Sequence, residues 1–192
     1  MRTLIASLCL FAAAPALAAP ATQSTIQPAT AQADTSLDDL FVRLKKERTA
    51  SAAERIADDI QARWLDSGSA TIDLMVGWSE QALQDKKFDV ALDFLDQVTV
   101  LAPAYAEGWN RRAIVHFLQG DQAKAMADIE KVLQLEPRHF GALAGLANIL
   151  RARGHDEMAL RAYEQVLALY PGNREAQDAV TDLTEQLTGD RI

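Results

Sequence analysis

The chain has 192 residues, 49% apolar and 24% charged, which suits one folded domain with a real core. Its 27 acidic and 19 basic side chains give a formal net charge of −8, which argues against nucleic acid and anionic lipid as partners, since both need a basic footprint. Cys9 is the only cysteine, so no disulfide can form within the chain and stability must come from packing.

The chain opens MRTLIASLCLFAAAPALAAP, with a basic Arg2, an apolar run from Leu4 to Ala14 and small residues at Ala16 and Ala18. That is the layout of a cleavable secretory signal over residues 1–18, with Ala19 as the neighbouring cleavage point. The run falls short of the roughly 20 residues a bilayer crossing needs, so no integral membrane segment is expected once the signal is removed. Cys9 lies inside the run and away from the cleavage site, which argues against a lipid anchor. The signal is similar to bacterial ones, and the expected destination is the periplasm. Residues 19–36, APATQSTIQPATAQADTS, have almost nothing bulky to bury against the entropy of ordering, and read as a flexible leader.

From Leu37 the texture becomes helical. Leu37, Leu40, Phe41 and Leu44 stripe one helix, and Ile56, Ile60 and Trp64 stripe a second. Residues 37–66 therefore read as a helix pair, either a degenerate repeat or an N-terminal cap. A repeat then takes over. Pro103, Pro137 and Pro171 stand 34 residues apart, and so do Ala91, Ala125 and Ala159, as well as Val98, Val132 and Val166. Columns in phase at such a period predict a solenoid, in which each unit buries its face against its neighbours. The units fall at about 72–105, 106–139 and 140–173.

Each unit splits into two helices. In the middle one, Trp109, Ala113, His116 and Phe117 stripe the first helix, Gly120 makes the turn, and Asp121 caps the second. Met75, Trp78, Ser79 and Ala82 form the matching stripe of the first unit, with Lys86 in the glycine position. The alanine column sits where paired helices approach most closely. A closing helix at 173–188 carries Ala176, Val180, Leu183 and Leu187 on one side and caps the array. The expected fold is all-α, a solenoid of antiparallel helix pairs.

These columns resemble the tetratricopeptide repeat (TPR) family. The matching residues are Trp109, Arg112-Ala113, His116, Gly120, Ala125, Ile129 and Pro137, then Leu143, Leu146-Ala147, Leu150, Gly154, Ala159, Tyr163 and Pro171. Arg112 departs from the usual leucine and Lys86 from the usual glycine. The stretches PAYAEGWNRRA and LEPRHFGALAGL also resemble a group of small exported TPR proteins of alphaproteobacteria. The resemblance implies a right-handed superhelix whose hollow side is lined by the first helix of each pair and holds a peptide. Carried over by column, the groove residues are Glu107, Asn110, Arg111, Ile114, Phe117, Asn148 and Arg151. Asn pairs with an extended backbone, and Arg offers a rigid fork to a carboxylate. The basic clamp of chaperone-binding members is not matched, because its columns hold Val76, Glu80, Arg111, Gly141 and Gly145.

Catalytic chemistry is not expected. The chain has no phosphate-cradling glycine loop, no Gly-x-Ser-x-Gly elbow and no His-Glu-x-x-His. Glu136 and His139 flank the Pro137 joint without further metal ligands, His116 reads as a packed core residue, and His155 as an exposed turn residue. No cofactor or metal is anticipated. The expected function is a non-enzymatic periplasmic adaptor for a protein or peptide. The alternative is self-association into a weak homodimer through the Val180–Leu187 strip, and a remote third is an enzyme or an accessory subunit of a cell-envelope enzyme.

Overall fold

A computed structural model describes residues 36–189; the expected signal at 1–18 and all but the last residue of the expected leader lie outside them. Regular structure among the described residues is entirely helical. An N-terminal hairpin, α1 (Leu37–Lys46) and α2 (Ala50–Leu65), precedes three antiparallel pairs. These are α3 (Ala70–Gln84) with α4 (Phe88–Leu101), α5 (Ala106–Leu118) with α6 (Gln122–Leu135), and α7 (Phe140–Ala152) with α8 (Asp156–Leu169). The last helix, α9 (Arg174–Gly189), packs on α8.

The pairing follows from the columns. Ala91, Ala125 and Ala159 are each 0% exposed, at the points where a second helix meets the first helices around it. Leu95, Ile129 and Tyr163 are buried one turn further on, and Val98, Val132 and Val166 beyond them. Burying such a side chain completely contributes about 1.5–3 kcal/mol. The turn inside each pair is left-handed at one residue: φ is 59° at Lys86, 82° at Gly120 and 72° at Gly154. Lys86 thus takes a conformation that glycine serves in the other two units. The Asp121 side chain accepts from the Lys124 amide at 3.1 Å and caps α6.

Arg112, unusual for its column, is held by charge. Its guanidinium donates in a fork to the buried Asp128 at 2.7 and 2.9 Å, and to Asp96 on α4 at 2.8 Å. It also lies 4.7 Å from the Trp109 ring centroid. The cation therefore ties the second pair to the first, where a leucine would do so by packing. Trp109 is half-buried, and its indole Nε1 donates to the Pro103 carbonyl across the joint at 3.0 Å.

Two expectations about packing are corrected. Trp78, assigned to a core stripe, stands exposed, because none of the described helices stacks on the outer side of α3. The Val180–Leu187 strip is no free surface for a homodimer: Leu183 is 0% exposed, and Val180 is partly buried against the same cluster as α7 and α8.

The hairpin α1–α2 does not extend the stack ahead of α3. It lies across the joints between pairs, with α1 on α8 and α2 reaching α5. The Leu65 carbonyl accepts from Tyr105 Oη at 2.9 Å, and the Trp64 ring stacks on His139 with centroids 4.1 Å apart. Ala53 sits against Gly172, where an added Cβ would lie 3.4 Å from the Ala53 methyl. One helix thus touches the joints at residues 105, 139 and 172 in turn, running against the order of the repeats.

Candidate functional site

The first helices α5 and α7 lie side by side and leave a hollow of about 200 Å³ between them, floored by Ile129 of α6. Asn110, Ile114 and Phe117 line it from α5, and Gly141, Gly145 and Asn148 from α7. Ile114, Phe117 and Leu118 are exposed apolar side chains there. Phe117 therefore belongs to the hollow and not to the inward stripe on which the sequence also places it. Two glycines keep the α7 wall low.

The two asparagines face this hollow with complementary groups. Asn110 donates through Nδ2 to Glu107 at 3.1 Å, which leaves its carbonyl oxygen as an acceptor. Asn148 accepts from Tyr163 Oη at 2.5 Å, which leaves its amide as a donor. One acceptor and one donor are what the N–H and C=O of an extended backbone require.

The expected arginine donors are placed differently. Arg111 is engaged by Glu80 on α3 and by Glu107, the latter at 2.8 Å, so its fork is closed by acids of its own chain. Arg151 points toward Asp182 of α9 at 3.4 Å. Physically, a stripe of helix surface gives the column of a residue without revealing that a neighbouring helix supplies a carboxylate.

Glu107, assigned to the groove surface, is only 7% exposed. Its carboxylate meets Asn110, Arg111 and His139, whose Nε2 lies 3.0 Å away. His139 Nδ1 accepts from the Ala142 amide at 3.1 Å, capping α7, so the ring proton sits on Nε2 and is donated to Glu107. Burial alone would raise the Glu107 pKa, but the His139 hydrogen bond and the nearby Arg111 charge outweigh it, and the carboxyl sits below its ordinary range. Sequence reasoning missed this pairing; the partner of His139 is Glu107, at the opening of the unit that His139 closes. A His at the closing position and an acid at the opening position of one unit were the available signal. His116 is buried, as its aromatic column suggests, and desolvation holds its pKa below the usual value. Among the described residues, no group of three or more His, Cys, Asp or Glu is arranged to hold a metal, and no helix is long and apolar enough to cross a membrane.

Stacked helix pairs with a lined hollow define a solenoid interaction scaffold, and sequence comparison gives the family. The tetratricopeptide repeat profile matches residues 106–139 and 140–173. A TPR repeat-containing protein of Rhizobium etli is 50% identical over 155 residues, covering 81% of this chain and 76% of that protein. The chain belongs to the tetratricopeptide repeat family. Among solved structures, the first TPR domain of Spaghetti, bound to an HSP90 peptide, superposes with a TM-score of 0.58 at 22% identity, covering 61% of this chain and 93% of that one. The MamA protein gives 0.55 at 16% identity, covering 78% and 79%. Both likenesses establish the fold.

Proposed function

We propose that this chain is a non-enzymatic adaptor of the periplasm that holds a segment of a partner protein in the hollow between α5 and α7. The observation that carries the reading is the hollow itself. It pairs exposed Ile114, Phe117 and Leu118 with one free acceptor at Asn110 and one free donor at Asn148. Arg111 and Arg151 are held in ion pairs, so the occupant is gripped by its backbone and apolar side chains and not by a terminal carboxylate. The Spaghetti domain, similar in fold, holds an HSP90 peptide. Export is supported by the basic, apolar and small-residue order of residues 1–18.

Ile114→Ser and Phe117→Ser test the site. Both side chains are already partly exposed, so covering each on binding contributes about 1–1.5 kcal/mol, roughly tenfold in affinity. Calorimetry with the partner identified by photocrosslinking from position 148 in intact cells should show that loss while thermal melts stay unchanged; unaltered affinity in both variants removes the site. Export is checked by intact mass of the osmotic-shock fraction, which should show a chain beginning at Ala19 or Pro20. A cytoplasmic chain retaining Met1 would overturn it.

A further inference from the structure

In the second and third units, the outer face of the first helix is covered by the second helix of the unit before. Gly108 of α5 is so close to α4 that an added Cβ would lie 2.7 Å from Val98, and Val115 packs with Ala91 and Leu95. In α7, Ala142 and Ile149 share a cluster with Ala125, Ile129 and Val132 of α6. Thirty-four residues earlier the columns of Gly108 and Val115 hold Leu74 and Gln81, with Trp78 between them in the column of Arg112, and Leu74 and Trp78 are 52% and 48% exposed. None of the described helices covers them, because α1–α2 lies over the joints instead. A hollow of about 710 Å³ remains there, with Trp78 and Phe94 rings 5.4 Å apart at its centre. Solenoid ends ordinarily present a polar face, and α9 does so at the other end with Asp178, Asp182 and Glu185 exposed.

The charge of this layer is one-sided. Helices α3 and α4 carry Asp73, Glu80, Asp89, Asp93 and Asp96 and no Lys, Arg or His of their own; Arg111 and Arg112 meet Glu80 and Asp96 from α5, and Lys86 and Lys87 stand in the turn between the two helices. Asp93, on the rim of the hollow, has no partner among the described residues. We propose that the α3–α4 face docks an amphipathic helix of a partner protein, with an aliphatic stripe spaced like Ala91, Leu95 and Val98 and a Lys or Arg flank that meets Asp93. The stripe is what this chain itself lays on the corresponding face of each later unit. A second copy fits less well, since two such faces would oppose acid to acid. Residues 19–35 fit poorly too, because Ile26 is their only large aliphatic side chain. This inference is independent of the α5–α7 hollow.

Two synthetic helical peptides on an alanine background, both bearing the stripe of α6 (Ala125, Ile129, Val132), one flanked by lysines and one by glutamates, test it by calorimetry against the full chain. The lysine peptide should bind about tenfold or more tighter than the glutamate one. Trp78→Ser should abolish binding, Asp93→Lys should reverse the preference, and Ile114→Ser should change neither. Trp78 and Asp93 are exposed, and circular dichroism confirms that each variant is folded; Asp93→Lys alone decides the matter if Trp78→Ser is not. No binding of the lysine peptide, equal affinity for both peptides, or binding lost only in Ile114→Ser overturns the proposal. A dimer by light scattering that Trp78→Ser converts to monomer also overturns it, assigning the face to a second copy.

Discussion

Glu107→Ala should destabilise the fold by about 3–4 kcal/mol, although the residue stands in a column expected to face a ligand. The acid is 7% exposed and holds three partners: Asn110 at 3.1 Å, Arg111 at 2.8 Å and His139 at 3.0 Å. Breaking a buried ion pair by removing one member costs about 3–5 kcal/mol, because the other is left uncompensated. Arg111 keeps Glu80 and some solvent, which places the cost toward the lower end. His139 has no such relief: it is 2% exposed, stacked on Trp64, and its Nε2–H loses its acceptor. Urea melts at neutral pH, with His139→Ala and the double variant, close a thermodynamic cycle, and the coupling should fall between about 0.5 and 3 kcal/mol. The network also fixes a pH dependence. Since the folded pKa of Glu107 lies below the ordinary 4.5, its contribution is complete above that value and is lost as pH falls through the folded pKa. Glu107→Gln should remove that part of the acid slope. A loss below about 1 kcal/mol for Glu107→Ala, with additive cycle energies, would refute the reasoning.

Gly108→Ala should cost about 1–3 kcal/mol by overpacking, since its Cβ would meet the fully buried Val98 at 2.7 Å; a neutral melt would show that α4 and α5 are further apart than described. Lys86→Gly should stabilise by about 0.5–1 kcal/mol, the left-handed cost of roughly 1–2 kcal/mol being partly offset by the greater freedom of glycine in the unfolded chain. A lowered melting temperature would contradict a φ of 59° at that residue. Trp64→Ala should cost about 3–5 kcal/mol, and hydrogen exchange should show protection lost first in α1–α2; uniform loss across the repeats would mean that the hairpin is not a separate layer over the joints.

The repeating part of the fold was legible because it is written as columns. Ala91, Ala125 and Ala159 share a spacing, and all three prove fully buried, so period alone reported packing. The hairpin was legible only as two stripes. Leu40, Phe41, Ile56 and Trp64 announce an apolar face, but its partners His139, Phe140 and Tyr170 lie far along the chain, and no periodicity connects them. Trp78 misled for a related reason. A column position tells which face a residue takes, and that face is buried only if another layer is stacked on it. Around the hollow, Asn110, Ile114, Phe117 and Asn148 come together because columns fix direction on a helix. Glu107 and Arg111 stand four apart on α5, a pairing that spacing alone offers, but Glu80, Asp182 and His139 come from other parts of the chain, a matter of three-dimensional packing that spacing does not encode.

A photoreactive residue at position 148, irradiated in intact cells, tests the adaptor reading most directly, because Asn148 lines the hollow and is exposed. A discrete protein adduct should form from position 148, disappear when Phe117→Ser is added, and be absent when the probe sits at Arg161, exposed on α8. The same adduct from position 161, or one from 148 that persists undiminished in the Phe117→Ser chain, would contradict the account.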